Sequence, residues 1–111
     1  MERDDVLGNL VSELRRGTVV LGVLASLGKP AYGYSLIERL SGAGLSVEAN
    51  TLYPLLRRLE GQGLLTSSWD TTGAKPRKYY ALTDFGGEVL RELTRQWYAT
   101  QHNLTNILGG N

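Results

Sequence analysis

A chain of 111 residues with 41% hydrophobic and 21% charged residues has the size and composition of one compact domain, which excludes most multi-domain enzymes and a disordered charged tail. With no cysteine and a single histidine, His102, it has no disulfides, thiolate metal sites, cysteine nucleophiles or histidine metal clusters. A net charge of +1 says nothing about partners until the charges are placed along the chain. The N-terminus opens on Glu2, Arg3, Asp4 and Asp5, and no apolar run approaches a membrane span, so a cytoplasmic protein without membrane attachment is expected.

From Asp5 to Leu14, Val6, Leu7, Leu10, Val11 and Leu14 recur at helical spacing, giving a short amphipathic helix interrupted at Arg15, Arg16 and Gly17. Thr18 to Leu27 (TVVLGVLASL) is almost wholly apolar and too long for a typical strand. It reads as a second, buried helix, stopped by Gly28 and Pro30. A third helix runs from about Tyr34 to Ala43, with Leu36, Ile37 and Leu40 on one face and Gly42 or Gly44 at its end. In Asn50 to Gly61 (NTLYPLLRRLEG), Leu52, Leu55, Leu56 and Leu59 form one apolar stripe. Pro54 lacks the amide a helix interior needs, so this helix is expected to start between Ser46 and Asn50, with the proline in or near its first turn.

Leu64 to Trp69 and Lys78 to Thr83 are short runs of β-formers separated by the turn-rich Asp70 to Pro76 (DTTGAKP), which predicts a hairpin with a long loop. In the second run Tyr80 shares a face with Leu82 and Tyr79 lies opposite, so one tyrosine belongs to the core and the other does not. Asp84 to Leu108 is one long amphipathic helix capped by Thr83 or Asp84. Val89, Leu93, Trp97, Thr100, Leu104 and Leu108 lie along a face.

The fold class is therefore mainly α with a small β-hairpin: a winged helix-turn-helix plus a C-terminal dimerisation helix. Residues 1–83 form the winged-helix DNA-binding domain with its N-terminal helix, and residues 84–111 the dimerisation helix. Charge placement agrees with this order of elements. Between Asn50 and Tyr80 stand five bases (Arg57, Arg58, Lys75, Arg77, Lys78) against two acids (Glu60, Asp70), while the rest of the chain is net negative by two. Such a fold presents these elements to phosphates.

Several segments bear a family likeness: Leu14 to Thr18 (LRRGT), Tyr32 to Ser35 (YGYS), Thr51 to Pro54 (TLYP), Arg58 to Glu60 (RLE), Gly63 and Leu64, and Pro76 to Thr83 (PRKYYALT), with Gly86. In order and spacing the sequence resembles the PadR-like transcriptional regulators over about residues 13 to 90. The resemblance implies a dimeric, winged-helix DNA-binding repressor, and the single C-terminal helix is similar to the family's short-tailed group. Some relatives in that group, with a tryptophan at the corresponding place, respond to planar drugs. This implies multidrug-type sensing at Trp97.

The DNA-binding set expected from residues and resemblance together is Tyr34, Asn50, Thr51, Tyr53, Arg57, Lys75, Arg77 and Lys78. Asn50, Tyr53 and Arg57 share the side opposite the leucine stripe; Asn50 suits adenine, and Arg57 guanine or phosphate. Tyr53 either touches DNA or packs against the wing, and Thr51 either caps its helix or touches phosphate. Lys75, Arg77 and Lys78, expected at the hairpin tip, either meet phosphates or simply solvate the wing. The last helix is longer than a small domain needs for cover, so Val89, Leu93, Trp97, Thr100 and Leu104 are the expected homodimer interface. Trp97 there either lines a slot for a planar aromatic effector or only packs the dimer. No nucleophile with a base, phosphate loop or carboxylate pair is present, so neither an enzyme nor a cofactor or metal is expected.

The expected function is thus a repressor that binds a pseudo-palindromic double-stranded operator as a homodimer and is released by a planar aromatic or drug-like effector. The rival reading is a winged-helix protein-interaction module without specific DNA binding.

Overall fold

The computed structural model describes residues 2–109. Met1, Gly110 and Asn111, which fall within the expected domain ranges, lie outside the described residues. Its elements are helix α1 (Arg3–Ser26), strand β1 (Ala31–Tyr32), helices α2 (Gly33–Gly42) and α3 (Ala49–Gly61), strands β2 (Leu65–Asp70) and β3 (Arg77–Leu82), and helix α4 (Asp84–Ile107). The protein is mainly helical with one three-stranded antiparallel sheet, in the order β1-β3-β2.

The first departure from the sequence expectation is α1. The two helices expected at Asp5 to Leu14 and Thr18 to Leu27 are one continuous helix of 24 residues. Arg15 and Arg16 are good helix formers, and a single Gly17 costs only about 1 kcal/mol relative to alanine. That is too little to break a helix whose second half is held by the core. The change of pattern at Gly17 marks the point where α1 leaves the protein body: Val23 and Leu24 are fully buried, whereas Val6, Leu7, Leu10, Val11 and Leu14 are exposed.

The core gathers Leu24 and Leu27 of α1, Leu36 and Leu40 of α2, the Leu52, Leu56 and Leu59 stripe of α3, and Leu65 and Tyr80 of the sheet. Each fully buried leucine contributes about 1.5–3 kcal/mol by leaving water. Between α2 and α3 the chain turns at Gly44, whose φ of +91° lies in the left-handed region that favours glycine.

Helix α3 starts at Ala49 with Glu48 in the cap position, inside the expected window. Thr51 lies in the first turn and is not the cap. Pro54 falls early in the second turn, next to the first. Having no N–H, it leaves the Asn50 carbonyl without its helical donor. Both residues are exposed, so the unpaired carbonyl falls on the solvent side of the helix.

The hairpin pairs Leu65 with Leu82 through to Asp70 with Arg77. Tyr80 is 3% exposed and Tyr79 37%, as the alternation predicts. Strand β1, two residues long, escaped the sequence pattern; it exists only because Ala31 and Tyr32 pair with Tyr80 and Tyr79 of β3. Helix α4 is capped by the Thr83 hydroxyl, which accepts from the Gly86 amide at 2.9 Å, and packs along α1 and β3. Among the described residues, no helix is long and apolar enough to cross a membrane.

Candidate nucleic-acid interface

On α3, Asn50, Pro54 and Arg57 project from the side opposite the buried leucines, and all three are exposed. Tyr53 shares this side but is only partly exposed, because its ring lies over the start of α2. A Cβ added to Gly33 would stand 2.6 Å from the Tyr53 ring, so the close approach of α2 and α3 depends on that glycine having no side chain. Tyr53, Tyr34, Tyr32, Pro76, Arg77 and Lys78 line a cleft of about 380 Å³ between the start of α2, α3 and the wing. Tyr53 thus packs over α2, where packing against the wing was one expectation, and it also borders an open cleft with Arg77 and Lys78. Tyr34, in the first turn of α2, is exposed beside it. The first amides of α2 have no side-chain cap, and free donors at a helix N-terminus favour anions.

Thr51 is placed differently from Asn50 and Arg57. It is exposed but turned toward α1, where it lines a groove of about 560 Å³ with Arg15, Arg16, Val20, Leu55 and Arg58.

The wing is stiffened before any ligand arrives. Tyr32 donates its hydroxyl to Asp70 Oδ2 at 2.5 Å, while the Thr72 hydroxyl and amide donate to Asp70 Oδ1 at 2.6 and 3.0 Å. These bonds, those from the Thr72 hydroxyl and from Tyr32 foremost, hold the Asp70 carboxyl down at about 2 because they favour its charged form. The same bond to Asp70 pushes the Tyr32 phenol up. Tyr32 also meets Tyr79 edge to face at 4.9 Å and lies 5.6 Å beneath the Arg77 guanidinium.

The three wing bases, expected together at the hairpin tip, are not equivalent. Lys75 is exposed in the loop and Arg77 opens β3 at the tip, but Lys78 is only partly exposed and turns toward α3. Its Nζ lies 3.6 Å from Glu60 Oε1, and Glu60 also accepts from the Ser67 hydroxyl at 2.5 Å. It is thus Lys78, and not the neighbouring Arg58, that pairs with Glu60. Burial pushes the Tyr80 phenol up, Glu60 and Tyr53 add to the effect, and Arg57 opposes it.

The residues expected at a dimer interface divide in two. Val89 and Leu93 are partly buried against their own chain's core, whereas Thr100 and Leu104 are exposed. Trp97, 38% exposed, meets Tyr98 edge to face at 5.1 Å. Beyond it Leu104, Ile107 and Leu108 stand open, as does the leucine-rich first half of α1. His102 is exposed near Asn106. Glu92 is held by Arg95 at 2.6 Å, and the described residues contain no group of three candidate metal ligands.

The model of the PadR-like family of transcriptional regulators matches residues 20–92. Transcriptional regulator Rv3488 of Mycobacterium tuberculosis is 34% identical over 99 residues, which are 88% of this chain and 90% of the relative. The crystal structure of a PadR family transcriptional regulator from Eggerthella lenta superposes with a TM-score of 0.87 at 54% identity, covering 97% of this chain and 96% of the other. A PadR-like transcriptional regulator from Bacillus cereus gives a TM-score of 0.79 at 29% identity, over 90% of this chain and all of the other (100%).

Proposed function

Because this chain belongs to the PadR-like family of transcriptional regulators, and is therefore a DNA-binding protein and not an enzyme, we propose that it acts as a homodimeric repressor of a pseudo-palindromic operator. In this reading Asn50, Tyr53 and Arg57 enter the major groove, and Tyr34, Thr51, Lys75 and Arg77 hold flanking phosphates, with Lys78 a weaker contributor. The observation that carries it is the meeting of α3, the start of α2 and the wing around one cleft bordered by Tyr34, Tyr53 and Arg77. Residues up to Thr83 form the DNA-binding unit, and α4, with the first half of α1, joins two copies.

The effector reading rests on Trp97. Two copies meeting along α4 bring their Trp97 rings toward a common axis, where a planar aromatic compound fits between them. Such a ligand releases DNA only by binding one spacing of the recognition helices more tightly than another; a preference of about 1.4 kcal/mol shifts that equilibrium tenfold. The test is footprinting on DNA upstream of the protein's own gene, with and without a panel of planar aromatic compounds. Two protected half-sites about 34 Å apart, lost when a compound is added to the wild type but retained with Trp97→Ala, are expected. A footprint indifferent to every compound removes the effector role and leaves Trp97 as interface packing.

A further inference from the structure

Trp69 is 64% exposed, although the row it belongs to points toward the body of the protein. Alternation along β2 puts Leu65, Ser67 and Trp69 on one face. Leu65 is buried, Ser67 bonds to Glu60 of α3, and Trp69 continues the row outward, beyond what the protein covers. Directly across the hairpin is Lys78, whose Nζ lies 5.8 Å from the Trp69 ring centroid, 5.8 Å from that of Tyr80 and 3.6 Å from Glu60. The indole therefore stands at the corner between α3 and the wing, held in orientation by a cation yet open to solvent. Full burial of a tryptophan removes 150–250 Å² from water, so leaving it open forgoes a large stabilisation.

We propose that Trp69 is a DNA-contacting residue, its ring lying on a deoxyribose and its indole N–H donating to a phosphate of the strand that passes between the recognition helix and the wing. The proposal rests on the DNA-binding reading above and adds a contact outside the set named there. Charge selects the occupant. The corner holds the Lys78–Glu60 pair, whose charges largely offset each other, and beside it stand the exposed cations Arg57, on the outer side of α3, and Lys75, in the adjoining loop. An apolar protein partner docking on Trp69 would desolvate these cations without neutralising them, whereas a nucleic-acid strand offers a flat sugar face and anionic acceptors together.

The chain has two tryptophans, so a Trp97→Phe parent reports on Trp69 alone. Its probe is a duplex recovered by the wild-type protein from a random-sequence pool. Saturating duplex should at least halve acrylamide quenching of Trp69. Trp69→Ala in the same parent should bind about tenfold more weakly, the scale of one well-packed aromatic contact, with an unchanged slope of affinity against salt, because an indole releases no counterions. Trp69→Phe, which keeps a ring but loses the N–H, should fall between; circular dichroism and sedimentation check that each variant keeps its fold and assembly. Quenching unaffected by duplex, or a folded Trp69→Ala that binds like its parent, overturns the proposal while the DNA reading stands. A loss accompanied by a salt slope lower by about 1 also overturns it, since the effect would then be displacement of Lys78. If the wild type recovers no duplex, the DNA reading itself fails and takes the proposal with it.

Discussion

Arg57 is an exposed guanidinium on the outer side of α3, and Asn50, two turns before it, is the neighbour with which it would read bases. If Arg57 makes a bidentate base contact, Arg57→Ala costs about 1–3 kcal/mol of operator affinity; gel-shift titration of the folded variant checks this, and unchanged affinity removes the role. The position was legible in the sequence because the leucine stripe fixes the opposite side of the helix. The partner of Lys78 was not, since Glu60 lies on a different element and the ion pair forms only when the hairpin folds against α3 through β2. Asp70 supplies a pH dependence with a definite sign. Its folded carboxyl titrates at about 2 against an ordinary 3.8, so it stabilises the wing tip fully above the ordinary value. That contribution is lost as pH falls through about 2. Nuclear magnetic resonance titration should find the Asp70 midpoint near 2 and the Thr72 amide shift following it; a midpoint near 3.8 would show that the Thr72 and Tyr32 bonds are absent in solution.

At the scale of elements, the wing cations should separate by experiment. Lys75→Ala is expected to lower the slope of log affinity against log salt by about 1, and Lys78→Ala by less, because Glu60 already neutralises part of its charge. Glu60→Gln should release Lys78 and steepen the slope; equal slopes for both lysine variants, and none gained with Glu60→Gln, would dissolve the distinction. The seam between wing and α4 depends on Gly86, where an added Cβ would stand 2.0 Å from the Leu64 carbonyl oxygen. Backbone cannot rotate away as a side chain does, so Gly86→Ala should cost about 1–3 kcal/mol, read as a lower urea midpoint. The helices α2, α3 and α4 were legible from periodicity to within a residue or two. The unbroken α1 was not, because its pattern changes where its surroundings change, and a change of surroundings resembles a break when only the sequence is read.

For the whole molecule, the open apolar positions are the measure of what one copy leaves uncovered. Leu14, midway along α1, is 74% exposed and Leu108, at the C-cap of α4, 82%, large apolar side chains that a second copy would cover. Sedimentation should therefore report a dimer, and Leu10→Glu or Leu104→Glu should give monomers that keep their helical circular dichroism; a monomeric wild type would overturn the assembly and the effector slot with it.

By itself the sequence determined the winged helix-turn-helix order, the leucine stripes, a cap at Thr83 or Asp84 and the positive charge of α3 and the wing, because helical and strand periodicities and capping are local properties of the chain. Only the tertiary structure decided the rest: the pairing of β1, the seat of Tyr53 over Gly33, the capture of Lys78 by Glu60 and the exposure of Trp69. Each of these joins elements distant in sequence. The distances and angles between such elements are set by how the core packs, which no local pattern encodes.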